Sequence, residues 1–334
     1  MKRLVLALAL IWAHADAGET AQSGLVLSLP VDCVIGETCF VQNHFDRDPG
    51  PGFRDYACGG LGYDGHRGID IRVADLPAMA RGIAVIAAGP GRILGVRDGM
   101  TDIDVRLIDA ATIADRKAGN GVVIDHDGGW QTQYSHLRRG SLRVAVGDIV
   151  AAGDVIGMIG MSGNATFPHV EFSVRRQGVP VDPFIGLDAA TECGVGGGTL
   201  WHQDALASLP YTPSGMLAAG FATRRPTWSE ARRGDYAQGA PRRDAPALVF
   251  WTSIFGGQAD DQFTLLLIAP DGETLAESRN VLKKDKALLF SFTGIKRPGD
   301  IWPEGVYRGE FRLYREIDGA PRELLSERRE ITLR

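Results

Sequence analysis

The side chains of this chain best suited to chemistry fall in three short stretches. Gly65-His66-Arg67-Gly68-Ile69-Asp70 sets an imidazole and a carboxylate four residues apart, Gln133-Tyr134-Ser135-His136-Leu137 carries a second imidazole, and His169-Val170-Glu171 a third with a carboxylate two residues on. Each stretch alone is weak. With seven histidines in the chain, an acidic residue four positions after one of them is expected by chance in roughly one such chain of two. Taken together, three imidazoles and two carboxylates are the donor set of a metal hydrolase, in which some side chains hold a cation and others handle the proton of a water. The bland alternatives are a surface ion pair for His66 and Asp70, a core histidine at His136, and a Glu171 that pairs with His66 or an arginine with no metal. His126, in Asp125-His126-Asp127-Gly128, reads as a solvated hairpin residue, and His44 and His202 stand in no such pattern.

The elements that must position these groups read as strands. Ile69, Ile71 and Val73 alternate with Gly68, Asp70 and Arg72, the period of a half-buried strand on which His66 and Asp70 share a face. His169 and Glu171 likewise share a face, while Val170, Phe172 and Val174 fill the other. Short strand-like runs follow one another from Ile83 to Arg175, including Leu142 to Val144, with hairpins expected at Gly89-Pro90-Gly91 and Asp127-Gly128-Gly129. Asp98 to Gly119 breaks this rhythm and reads as a surface excursion, an extra hairpin followed by a short helix.

Upstream, residues 18–60 read as a loop-like segment wrapping the edge of a domain at 61–195. Gly194-Val195-Gly196-Gly197-Gly198 marks its end. A linker at 196–245 follows, whose Arg224, Arg225, Arg232, Arg233, Arg242 and Arg243 read as a solvated face rather than a polyanion site. Apolar runs alternating with turns over 246–334 indicate an immunoglobulin-like β-sandwich. The expected fold is therefore mainly β, an antiparallel sheet domain followed by a sandwich.

Lys2 and Arg3, an apolar run from Leu4 to Ala13 and Ala15-Asp16-Ala17 read as a signal peptide over residues 1–17, too short to span a bilayer. The expectation is an exported, periplasmic or secreted protein with no membrane span in the mature chain. Its removal leaves 34 basic and 40 acidic residues, a balance that gives no global field for nucleic acid. Export makes Cys33, Cys39, Cys58 and Cys193 disulfide candidates before metal ligands. Of the three pairings that four cysteines allow, Cys33 with Cys39 and Cys58 with Cys193 is preferred.

From about Gly60 to Pro183 the chain resembles the lysostaphin-like (LytM-type) zinc metalloendopeptidases, which cut peptide cross-links in peptidoglycan. The resemblance is carried by His66-x-x-x-Asp70, Tyr134-Ser135-His136-Leu137, Gly153-Asp154-Val155-Ile156-Gly157, Ser162-Gly163-Asn164 before Pro168-His169, and Val181-Asp182-Pro183. It implies the family's sheet domain (duplicated hybrid motif), one zinc ion held by His66 and Asp70, and catalytic roles for His136 at the transition state and His169 as general base. Its implied substrate is peptidoglycan peptide.

One position departs from that pattern. The family's third ligand is the second histidine of His-x-His, and this chain has His169-Val170-Glu171. Glutamate can ligate zinc. Two carboxylates and one imidazole cancel the metal's charge, however, which weakens it as a Lewis acid and favours harder, oxygen-preferring ions. Two functions follow: a peptidoglycan endopeptidase with Glu171 as third metal ligand, or an inactive relative that binds peptidoglycan or activates another cell-wall hydrolase.

Overall fold

The computed structural model describes residues 24–188, 192–237, 239 and 241–334. The expected signal peptide lies outside the described residues.

The first domain is built on β1 (Phe40–Asn43), β2 (Ile69–Arg72), helix α1 (Leu76–Arg81), β3 (Ala84–Ile86), β4 (Gly91–Arg97), β5 (Asn120–His126), β6 (Trp130–Leu137), β7 (Ile149–Val150), β8 (Val155–Met158), β9 (His169–Arg176) and β10 (Val179–Val181). The large sheet runs β1-β2-β9-β6-β5-β4-β7, β10 adds to β9, and β3 pairs with β8 in a separate ribbon. All the named pairings are antiparallel. Val122, Ile124, Tyr134, Val170, Phe172 and Val174 form the core on one side of the central strands. That leaves the other side free for polar residues.

Several expectations need correction. β2 is buried along its whole length rather than half-buried, because β1, from the segment expected to be loop, covers it as a further strand. Gly89-Pro90-Gly91 does not close a hairpin, since β3 pairs with β8 and β4 with β5 and β7. Asp127 to Gly129 does join the paired strands β5 and β6. Residues 98–119 hold two 3-10 turns, Val105–Leu107 and Ala110–Ile113, and no hairpin. Leu142 to Val144 is not a strand.

Helices α2 (Gln203–Ala207) and α3 (Trp228–Arg233) flank β11 (Gly215–Ala222), and β12 (Ala247–Gly257), β13 (Gln262–Ile268), β14 (Thr274–Val281), β15 (Lys286–Lys296), β16 (Gly305–Ile317) and β17 (Ala320–Leu333) follow. Sheets β11-β12-β15 and β14-β13-β16-β17 pack through Phe250, Leu265, Leu267, Phe311 and Leu313, as a β-sandwich requires. The stretch expected as linker thus already contains a sandwich strand, β11. Phe40 and Leu61 of the first domain pack with Leu217 and Phe255 of the second. Both disulfides take the preferred pairing, Cys33–Cys39 and Cys58–Cys193. No helix among the described residues is long and apolar enough to cross a membrane.

Candidate metal centre

The β2–β9–β6 ladder sets the site. Asp70 lies opposite Glu171, and Glu171 opposite Ser135; directly opposed residues share a face, so all three project to the side away from the apolar core. His169, two residues before Glu171, projects with them. The strands approach closely at Gly68, where a Cβ would lie 2.9 Å from Glu171 Cγ and 3.0 Å from Phe172 O. Glycine is required there.

His136 reaches this face by breaking the strand rule. Alternation would send it to the core with Tyr134, but its φ is +63° and the β5–β6 register slips beside it, between Asn120 and Val122. A non-glycine residue in that conformation costs about 1–3 kcal/mol. The result is to aim its imidazole at Glu171.

The site has two halves. In the first, Asp70 Oδ1 lies 3.3 Å from His66 Nε2 and 3.7 Å from His169 Nε2. At 3.3 Å the His66 and Asp70 atoms attract, yet the angle is not that of a hydrogen bond, and both buried atoms lack a hydrogen-bond partner. The other oxygen of Asp70 accepts from Asn43 Nδ2 at 2.7 Å. Burial pushes the Asp70 carboxyl up, but the charges of His66 and His169 and the Asn43 hydrogen bond outweigh it and hold it well below the usual carboxylate range. His66, also opposed by its burial, is raised by Asp70. The Tyr63 ring covers the His66 ring at 4.6 Å.

In the second half, His136 Nε2 lies 3.3 Å from Glu171 Oε2. Burial raises the Glu171 carboxyl, and the His136 contact overcomes this and lowers it. The halves meet where the His136 and His169 rings stand 4.6 Å apart. Two main-chain carbonyls orient these rings: His136 Nδ1 is 2.7 Å from Ser162 O and His169 Nδ1 is 2.8 Å from Phe167 O. A carbonyl only accepts, so each Nδ1 carries the hydrogen and each Nε2 is the atom turned to the site. Burial, with His136 nearby, drives His169 down to about 4, so its Nε2 is an unprotonated lone pair at neutral pH.

Two donors of a tetrahedral zinc stand about 3.3 Å apart, which the His66–Asp70 edge matches. Unpartnered buried donor atoms of these types fit a cation. The third position does not close: among the described residues no three His, Cys, Asp or Glu side chains converge as a metal site, and Glu171 meets His136 within ion-pair distance but not His66. Residues 64–183 match peptidase family M23.

This stretch is a peptidase family M23 domain. The M23 domain shares 42% identity over 65 residues with the DD-carboxypeptidase/endopeptidase Mpg of Neisseria meningitidis, covering 20% of this chain and 14% of Mpg. The murein hydrolase activator EnvC of Escherichia coli is 34% identical over 95 residues, 28% of this chain and 22% of EnvC. The chain thus spans less than a quarter of either relative. Among solved structures, the catalytic domain of the prophage-encoded M23 protein EnpA from Enterococcus faecalis aligns at 24% identity with a TM-score of 0.31, covering 44% of this chain and 91% of that one. A zinc-containing peptidase from Vibrio cholerae aligns at 25% identity with a TM-score of 0.28, covering 42% and 39%.

Three features of the M23 domain's surroundings escape the sequence pattern. Asn43, the partner of Asp70, comes from the segment read as loop. His44 is buried among Tyr56, Phe184 and Tyr211, and burial lowers it to about 4. His126 is buried, not solvated: its ring bonds Pro90 O at 2.7 Å and Thr132 Oγ1 at 2.9 Å.

Proposed function

We propose that the protein is an exported peptidoglycan endopeptidase that works with one zinc ion held by His66, Asp70 and Glu171. The observation that carries this reading is the buried His66–Asp70 pair, whose facing atoms have no hydrogen-bond partner. Leaving two such atoms unsatisfied costs about 1–3 kcal/mol each, and a cation at their lone pairs removes that cost. Two disulfides and a relative named for murein, EnvC, support export and a peptidoglycan substrate.

When bound, zinc supplies a Lewis acid that polarises a peptide carbonyl and lowers the pKa of water. The chain's own groups do the rest. His169 Nε2, held unprotonated and aimed by the Phe167 carbonyl, accepts the proton of the attacking water. His136, with its Nδ1 hydrogen committed to Ser162 O, presents Nε2 to the developing charge and, once it carries a second proton, donates to it. Asn43 holds Asp70 so that Oδ1 stays turned inward.

The contact between Glu171 and His136 favours a second reading. In it the M23 domain is inactive and binds peptidoglycan or activates another cell-wall hydrolase; the relative EnvC is named as a murein hydrolase activator. Metal content of protein purified with zinc, together with muropeptide release from purified sacculi, separates the two. Bound zinc with release abolished by His66→Ala supports the peptidase. A metal-free protein that releases nothing, but cuts after Glu171→His, overturns it.

A further inference from the structure

The insertion at 98–119, which the proposed chemistry does not use, builds a concave wall beside the site. It is fixed at several points. Asp102 accepts from Arg139 N at 3.0 Å and Met161 N at 2.8 Å, Val105 N donates to Ala165 O at 3.0 Å, and Asp104 accepts from Arg232 at 2.9 Å. At its end Gly119, with φ +65°, packs so tightly that a Cβ would lie 2.4 Å from Ser162 O. This is a preorganised surface, not a loose loop.

Between the insertion and the end of β4 lies a pocket of about 620 Å³ lined by Arg97, Met100, Ile103, Ile108 and Arg116. A second hollow of about 240 Å³ follows Gly121, Gln133 and Ser135 and shares Arg97 with the first. Ser135 stands opposite Glu171, so the smaller hollow borders the row of site residues, and Arg97, common to both linings, stands between it and the groove along the insertion. The larger one falls within the usual range of small-ligand sites.

The groove's charge is unbalanced toward the positive. Neither Arg97 nor Arg116 meets a carboxylate among the described residues; their hydrogen bonds go to main-chain carbonyls, Gly119 O at 3.2 Å and Thr112 O at 3.0 Å. Those contacts leave each guanidinium's charge uncompensated and part of its donor fork free. Asp98 also lines the pocket, but one of its oxygens, Oδ1, is taken by Gly99 N at 2.6 Å and Gly140 N at 2.8 Å. Guanidinium forks match carboxylates in shape and charge, and Met100, Ile103 and Ile108 offer an apolar wall beside them.

We propose that this groove is a subsite for a carboxylate-bearing arm of a peptide, with Arg97 and Arg116 gripping the carboxylate and Met100, Ile103 and Ile108 covering its aliphatic stem. The proposal rests on the reading of the neighbouring site as one that engages peptidoglycan peptides. It adds a specificity determinant that acts in binding, away from the bond cut.

Calorimetric titration of the full chain tests it with N-acetyl-Lys-D-Ala-D-Ala as the free acid and as the C-terminal amide. The acid should bind about tenfold more tightly than the amide. Arg116→Gln, at an exposed residue, and Arg97→Gln should each bring the two ligands to near parity, while Arg143→Gln, outside the groove, should leave the preference intact. Equal affinity for acid and amide, an acid preference that survives Arg116→Gln, or no binding of either ligand overturns the subsite. The readout is binding, so a protein inert on sacculi that keeps the acid preference sinks the peptidase reading alone. Release from sacculi without any acid preference sinks the subsite alone.

Discussion

Glu171 and His136, carried on neighbouring strands, face each other with 3.3 Å between Oε2 and Nε2. Because the Nδ1 hydrogen of His136 is committed to Ser162 O, a hydrogen bond to Glu171 needs a second proton on Nε2. The pair therefore sets a carboxylate against His136, within ion-pair distance, where the family pattern holds a metal ligand. Glu171→His removes that carboxylate and restores a neutral third donor, so zinc affinity should rise by roughly tenfold or more. Competition with a chromophoric chelator measures it. An unchanged affinity would mean that the Glu171 carboxylate binds zinc as strongly as an imidazole would.

Asn43 acts on the other half. Its amide donates to Asp70 Oδ2 at 2.7 Å, and both residues are buried. Asn43→Ala leaves that oxygen unpaired, which should cost about 1–3 kcal/mol of folding stability and, by freeing the carboxylate to rotate, about 10- to 100-fold in metal affinity. Urea unfolding and metal titration read the two effects separately. Asn43→Asp should do worse, since it sets a second carboxylate against the first.

The two disulfides should contribute unequally. Cys58–Cys193 closes 135 residues and Cys33–Cys39 only six. In the chain-entropy description the larger loop is worth about 3 kcal/mol more. Replacing both members of each pair with serine and comparing urea midpoints gives the difference directly. Equal losses would show that native-state packing, not loop closure, sets the contribution.

How far the sequence displayed this site depends on the residue. Asp70, His169 and Glu171 were readable together because two-residue periodicity fixes the face of a strand residue, and the ladder then brings β2 and β9 side by side. The aim of His136 was not readable from that period, which would turn it into the core; only the positive φ and the slipped register bring it round. Asn43 was hidden by distance along the chain, 27 residues from its partner. His126 reads as solvated because its Asp-Gly neighbours suit a turn, yet Pro90, just before β4, and Thr132 of β6 hold the buried ring. In the second domain the strand character of β11 is masked because Gly215 to Ala222 is rich in glycine and alanine, and that of β14 because most of its side chains face solvent.

Asp182 should make stability fall as pH rises. Burial pushes its carboxyl up to about 7, with only the Phe184 N–H bond and the charge of Arg47 opposing. Below the ordinary value near 4 both folded and unfolded chains carry the proton, and the residue contributes no slope. Between about 4 and 7 the unfolded chain gives up its proton first, so folding weakens, by up to about 4 kcal/mol, and levels off above 7. Asp182→Asn should flatten this part of the profile and raise stability at pH 8 relative to pH 5. Urea midpoints at the two pH values, for both proteins, check it.

Arg232 belongs to the arginine-rich stretch that reads as solvated, and the structure corrects that reading. Its side chain is 9% exposed, pairs with Asp104 at 2.9 Å, donates to Thr166 O at 2.6 Å and lies over the Trp228 ring at 4.5 Å. Helix α3 thereby fastens the insertion to the loop that precedes His169, and Phe167, next in that loop, orients the His169 ring. Burial raises the Asp104 carboxyl, but its bonds to Arg106 and Arg232 prevail and hold it at about 2. That contribution is present above the ordinary value near 4 and is lost as pH falls through about 2. Arg232→Ala strands one buried partner of the pair, which typically costs about 3–5 kcal/mol; Arg106 still faces Asp104, so about 2–3 kcal/mol is expected here. Hydrogen exchange should quicken at Val105, whose N–H bonds Ala165 O, before it quickens in the sandwich strands. If exchange instead rises uniformly through both domains, Arg232 is a general stabiliser and not a local fastener.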